Sequence, residues 1–313
     1  MTMSGPSSPM RPAQASPEWG NFAISSWARP RCGPPVRTAP LDPWYYGQTI
    51  DMISHRMPDL GSERLNMQET ERLGSQKIGL WCNMIFVALT AVGWLGIAHF
   101  WAPARADLGL DATKVWFTET HQSGVLVGCS LFYIAAGILT PGSIAFGIML
   151  AKIEGRWPLW SLTTAVCGVF ISLIVFFNAC AWIVSAYRKD SGADVIQAFS
   201  DWAWFAFLLG WIYLTIEMVA TGVVELMDDR PEPMIPRWLT WLTFAGAATI
   251  FFAAGPAFFK SGPFAYHGLL AFYLPVGIWG AYLTLTTLYM LKELKRTRVE
   301  PEIRETVAAT DGS

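Results

Sequence analysis

Six long apolar runs, separated by short polar stretches, constrain this chain more than any other feature. They fall at about 79–101, 122–151, 158–187, 202–227, 238–259 and 265–291. A helix needs about 20 mostly apolar residues to cross a hydrocarbon core about 30 Å thick, because each residue advances it by only about 1.5 Å. Inside that core every backbone N–H and C=O must find a partner, which separate runs achieve as helices. The predicted fold is therefore all-α, an integral membrane six-helix bundle. Composition agrees: 53% of the 313 residues are hydrophobic and 15% charged, whereas charged residues supply about a quarter of a soluble domain. A formal net charge of -2 excludes an electrostatic nucleic-acid binder, which needs a basic excess.

Residues 1–66 differ from the rest. They are rich in Pro, Ser and Arg and hold no apolar run long enough for a helix or a signal-peptide core. Such a stretch cannot bury enough surface to offset its ordering entropy, so it reads as a disordered arm. Met52, Met57 and Met67 are alternative starts. The six spans then occupy 67–298, and 299–313 form a polar tail. With both termini cytoplasmic, Lys and Arg number eleven on the inner side against five on the outer. The positive-inside rule thus predicts a multi-pass protein of the inner (plasma) membrane with both ends in the cytoplasm.

Details within the runs follow from residue type. Pro141 predicts a kink or tilt in the second run, and Pro158 a helix start in the third. Gly124 and Gly128 make a GxxxG pair, and Gly246, Ala253, Ala254 and Gly255 give the fifth run small faces for helix association. Trp94, Trp101, Trp157, Trp160, Trp202, Trp204, Trp238 and Trp241 fall near span ends, where indoles anchor at the interface. The five Cys lack CxxC spacing, so no disulfide framework or zinc knuckle is indicated.

The polar residues cluster by depth. His99, His121 and His267 fall at outer span ends, Glu119 lies two residues before His121, and Asp201 opens the fourth run. Asn178 is in the outer half of the third, with Trp182 a turn on. His with carboxylate is a ligand set for Zn, Fe or Cu and also serves general acid–base chemistry. His121, His267, Asp201 and Glu119 are thus the candidate catalytic residues, and His99, His121, His267 and Asp201 the candidate metal ligands. No HxxxH, HxH or ExxH spacing supports them. Ordinary roles stay open beside a shared site, with Asp201 capping its helix and His121 in the headgroup layer. The cofactor is left unknown. Glu217 is the acid placed deep inside a run, where an ionisable group costs at least about 2.5 kcal/mol and faces the bundle interior or a cavity, and a protonated, hydrogen-bonded structural Glu stays open beside a functional one. Thr221, one turn along, is a hydrogen-bonding neighbour. Walker A, Rossmann, HExxH and GxSxG motifs are absent.

At HQSGVLVGCSLFYIAAGILTPGSIAFGIMLAKIEG, SDWAWFAFLLGW, DDRPEPMIPRW and FFKSGPFAYHGLLAFYLP, the chain resembles a group of uncharacterised bacterial six-span membrane proteins over about residues 80–290. The resemblance implies the architecture and no particular chemistry. FTETH followed by AKIEGRWP also resembles the copper-bearing C subunit of particulate methane and ammonia monooxygenases. That pattern wants a second His about three turns after His121, where this chain reads YIAAG. Two functions follow as expectations. One is a membrane protein that binds or passes a lipophilic small molecule, or that partners another membrane protein or its own copies. The alternative is a membrane-embedded enzyme acting on a lipophilic substrate through the outer His and carboxylate groups, with or without a metal.

Overall fold

The computed structural model describes the backbone of residues 60–311 and the side chains of residues 71–297. The proposed arm, up to residue 59, and Met52 and Met57 in it lie outside the described residues. Among the described residues there is no strand, and six helices are long and apolar enough to cross a membrane: Glu71–Ile97, Gln122–Glu154, Leu159–Tyr187, Ala193–Leu226, Arg237–Ala257 and Leu269–Thr297. Six crossings return the chain to the side it started from. That side is called the near face below, and the other the far face.

The first span is α1 (Leu60–Leu89) extended by a π-helical segment, Thr90–Ile97. It begins within the stretch assigned to the arm, because RLNMQETERLGSQ supplies strong helix formers despite its polarity. On the far face a short helix, α2 (Leu110–Val115), leads through the π-turn Trp116–Thr120 to α3 (Gln122–Glu154). α3 runs unbroken through Pro141. The third span, α4 (Leu159–Tyr187), starts at the near face with Pro158 as its cap residue. Its free N–H groups are met by the preceding turn: the Glu154 carboxylate accepts from Trp160 N at 2.9 Å and Ser161 N at 2.8 Å.

The fourth span is two helices, α5 (Ala193–Leu209) and α6 (Ile212–Leu226), broken at Gly210–Trp211. α5 starts earlier than the apolar run at 202. Asp194, Gln197 and Asp201 share one helical face while Ile196, Ser200, Ala203 and Trp204 are buried on the other. Asp201 therefore sits two turns inside a helix whose cap residue is Gly192, which removes helix capping as its ordinary role. The fifth span, α7 (Arg237–Thr249), tightens into a 3-10 segment Ile250–Ala257. After the FFKSGPFAYHG turn, with Gly262 at φ 81°, a π-turn Leu269–Tyr273 opens the sixth span, α8 (Leu274–Asp311).

The first two spans mesh along glycines. A Cβ on Gly79 would meet Ala145 Cβ at 2.4 Å, and one on Gly128 would meet Gly93 O at 2.3 Å and Ala98 N at 2.5 Å. On Gly124 it would lie 2.5 Å from Ile97 O. Small residues thus let the two backbones touch where lipid supplies no hydrophobic drive.

The far half is filled by rings. Trp94 stacks on Phe132 (centroids 4.8 Å apart) and Phe100 (5.4 Å), and packs against Trp182, Phe207 and Phe272. Trp204 joins through Trp182 and Phe272 and lies flat on Tyr266 at 4.9 Å. Two expected interface anchors are therefore core residues, Trp94 at 0% and Trp204 at 1% exposure. Depth in the membrane had assigned them, but the side of the helix decides. Trp101, Trp157, Trp160, Trp202, Trp238 and Trp241 are exposed, as interface anchoring requires.

Candidate functional site

The far-face residues separate into two groups. His99, in a left-handed backbone conformation at φ 60°, ends the first span and brings its ring to 5.0 Å from that of His121. His121 lies between it and Trp116, whose ring is 4.4 Å away. Burial holds the His121 imidazole below its ordinary value, and the neighbouring His99 adds to this against a backbone hydrogen bond at Trp116. Glu119 is exposed. His267 belongs to another cluster: its Nδ1 accepts from Ala106 N at 3.1 Å. It too is held low by burial, with Asp107 opposing and Arg105 assisting. Arg105 and Asp107 form a surface pair at 2.7 Å. Asp201 faces Gln197 and Lys260, and Tyr266 lies within electrostatic reach of both Asp201 and Asp107. Among the described residues, no three His, Cys, Asp or Glu groups converge to hold a metal.

Asn178 is fully buried in the far half, and neither of its amide atoms has a partner in the protein. The Nε1 atoms of Trp94, Trp182 and Trp204 are likewise buried without partners.

A second polar region lies in the near half, inside the bundle. Glu217 and Thr221 are buried one turn apart on α6, and Glu225, one turn further on the same face, is 1% exposed. Tyr282 of the sixth span donates to Glu217 Oε1 at 3.5 Å and pairs with the Thr221 hydroxyl at 2.9 Å. Thr221 also meets Thr164 of the third span at 3.3 Å. Both carboxylate oxygens of Glu225 are buried without a hydrogen bond of good geometry. From the first span, Asn83 donates to Thr287 at 3.3 Å. The sequence reading found Glu217 and Thr221 but missed the rest. The repeat of polar residues at 217, 221 and 225 was the available signal, obscured because Glu225 closes the apolar run.

Below this region the near face opens into a cavity of about 930 Å3 lined by Arg72, Gln76, Lys152, Asp228, Arg230 and Glu293, among others. Its rim is tied by charge. Arg230 grips Asp228 with two hydrogen bonds of 2.8 Å and reaches Glu293 at 2.5 Å. Arg237 donates to the backbone carbonyls of Glu225 and Asp228, both at 2.8 Å. The DDRPEPMIPRW block is thus a strap across the near face. Burial pushes the Asp228 carboxyl up, but hydrogen bonds from Arg230 and Met234 N outweigh it and hold the group below the ordinary range.

On the flank of the bundle, spans four to six leave an apolar groove of about 460 Å3. Ala245, Gly246, Gly277 and Ala281 make the space, and Leu242 and Tyr282 stand in its wall. The Tyr282 side chain is shared between groove and polar core.

Comparisons with known proteins add little chemistry. No family model matches the chain, and no solved structure does. The monooxygenase likeness gains no support: the segment where its second His belongs, Tyr133–Gly137, is apolar, with Tyr133 and Ile134 exposed on the helix. A "Probable potassium transport system protein Kup" of Lactobacillus gasseri is 25% identical over 171 residues, 51% of this chain and 24% of that protein. The chain spans about a quarter of the length of that relative. What these findings give is a multi-pass membrane protein with a distant likeness to a membrane transport protein.

Proposed function

We propose that this chain binds a lipophilic small molecule taken from the bilayer and passes it across or within the membrane. The observation that carries this reading is the flank groove. Its volume of about 460 Å3 lies in the range of about 300–1,000 Å3 typical of small-molecule sites. It opens where Leu242 is half exposed, and a Cβ on Gly277 would meet nothing within 4 Å. The distant likeness to a membrane transport protein supports the transport half of the reading. The basic residues favour placing the near face, with both termini, in the cytoplasm of the plasma membrane. A membrane-embedded enzyme working through the far-face histidines draws support from the His99–His121 pair alone.

Filling the groove tests the reading. Gly277→Phe projects a ring into open space, so the variant is expected to fold. Lipidomics on protein extracted in native membrane discs should find a lipophile enriched with the wild type and lost, by about tenfold or more, in the variant. Equal profiles for the two proteins would overturn the proposal.

A further inference from the structure

In the near half, five spans enclose a cavity of about 10 Å3 walled by Asn83, Ser143, Thr164, Gly168, Glu217 and Trp279, among others. That is room for about one water-sized sphere. Of the polar groups around it, two hydroxyls donate within their own helices and one amide oxygen has no partner. Ser143 donates to Leu139 O and Thr164 to Trp160 O, both at 3.1 Å within their own helices. Asn83 directs its Nδ2 at Thr287, which leaves Oδ1 fully buried and without a partner. Glu217 Oε1 is occupied by Tyr282. Its Oε2 lies on the Gly168 side, 3.5 Å from where a Cβ of that residue would stand, and Ser143 Oγ lies 2.5 Å from the same point. A side chain at 168 would thus crowd Ser143 Oγ and touch Glu217 Oε2.

Leu139, Phe146, Ile171 and Leu283 make the apolar part of the wall, and the oxygens of Asn83, Ser143, Thr164 and the Glu217 carboxylate make a polar part that suits a hard cation. Charge then selects its valence. One carboxylate neutralises one positive charge, whereas a divalent ion would stay uncompensated in a low dielectric and prefers six or more oxygens. We propose that this cavity is a binding site for a single monovalent alkali cation, with Glu217 supplying the charge and Asn83, Ser143 and Thr164 the neutral oxygens. The titratable groups facing Glu217 are Tyr282 from the sixth span and Cys167 from the third. Neither is a cation that would compete for the carboxylate. The site goes beyond the lipophile reading and does not depend on it, although the Tyr282 side chain touches both.

Equilibrium binding of radiolabelled sodium and rubidium to the full chain in lipid discs tests the site. One ion of either kind should bind per chain. Glu217→Gln should weaken it at least tenfold, and Gly168→Ala, which puts a methyl group against Ser143 Oγ and within 3.5 Å of Glu217 Oε2, should weaken it while every ligand remains. Sodium or potassium chloride should raise the melting temperature of the wild type above that in choline chloride at equal ionic strength. This comparison needs no variant, so it stands if Glu217→Gln fails to fold. Equal melting in all three salts, or binding untouched by Gly168→Ala, would mean that the cavity holds water alone and would overturn the site. The Gly277→Phe variant should keep its cation, which separates a failure here from a failure of the groove.

Discussion

Gly128 shows how much of this bundle is decided by single atoms. A methyl group there would stand 2.3 Å from a carbonyl oxygen and 2.5 Å from a backbone nitrogen of the first span. Neither neighbour is a side-chain tip that can turn aside. Gly128→Ala is therefore expected to destabilise the protein by about 1–3 kcal/mol, the usual range for overpacking. Thermal unfolding in detergent measures it, and an unchanged midpoint would refute the close approach. The GxxxG spacing made this residue legible in the sequence, since small-xxx-small is a property of one helix. Asn83 was not legible. A lone amide in the run WCNMIF gains meaning only from Thr287 of the sixth span and the cavity beyond it, and no local pattern records such partners. Trp94 and Trp204 were misplaced for a related reason, because hydropathy gives depth but not the direction a side chain faces.

At the scale of elements, the strap between the fourth and fifth spans has a defined response to acid. The ordinary carboxyl value for Asp228 is 3.8, and its folded value is lower. The ionised form thus stabilises the fold at any pH above that ordinary value, and this contribution is lost as pH falls through the lowered value. Asp228→Asn removes the contribution at neutral pH, about 1–2 kcal/mol once the exposure of Arg230 is discounted. Its melting curve should then depend less on pH in the acid range than that of the wild type. Parallel curves would show that the strap adds no stability. The fourth span's true start shows the limit of reading elements from apolar runs. An amphipathic first half with Asp194, Gln197 and Asp201 on one side looks polar in a line of letters, yet it buries the opposite side as well as any other helix does.

For the whole molecule, the number of crossings was legible because a bilayer imposes one length on every helix. Which residues meet was not. Depth alone gathered His121, Asp201 and His267 at one level, whereas the bundle puts the first against His99 and the third against Ala106 N. The same depth argument left Glu217 isolated, although four other spans bring polar or aromatic groups to its cavity. Sidedness remains a matter of charge. Reporter fusions to the carboxyl end should be active when the reporter works in the cytoplasm and silent when it works outside, and the reverse would invert the near and far faces. The buried rings have a practical corollary. Trp94, Trp182 and Trp204 lie close enough for their electronic transitions to couple. Their near-ultraviolet dichroism therefore reports any loosening between the first, third and fourth spans without an added label.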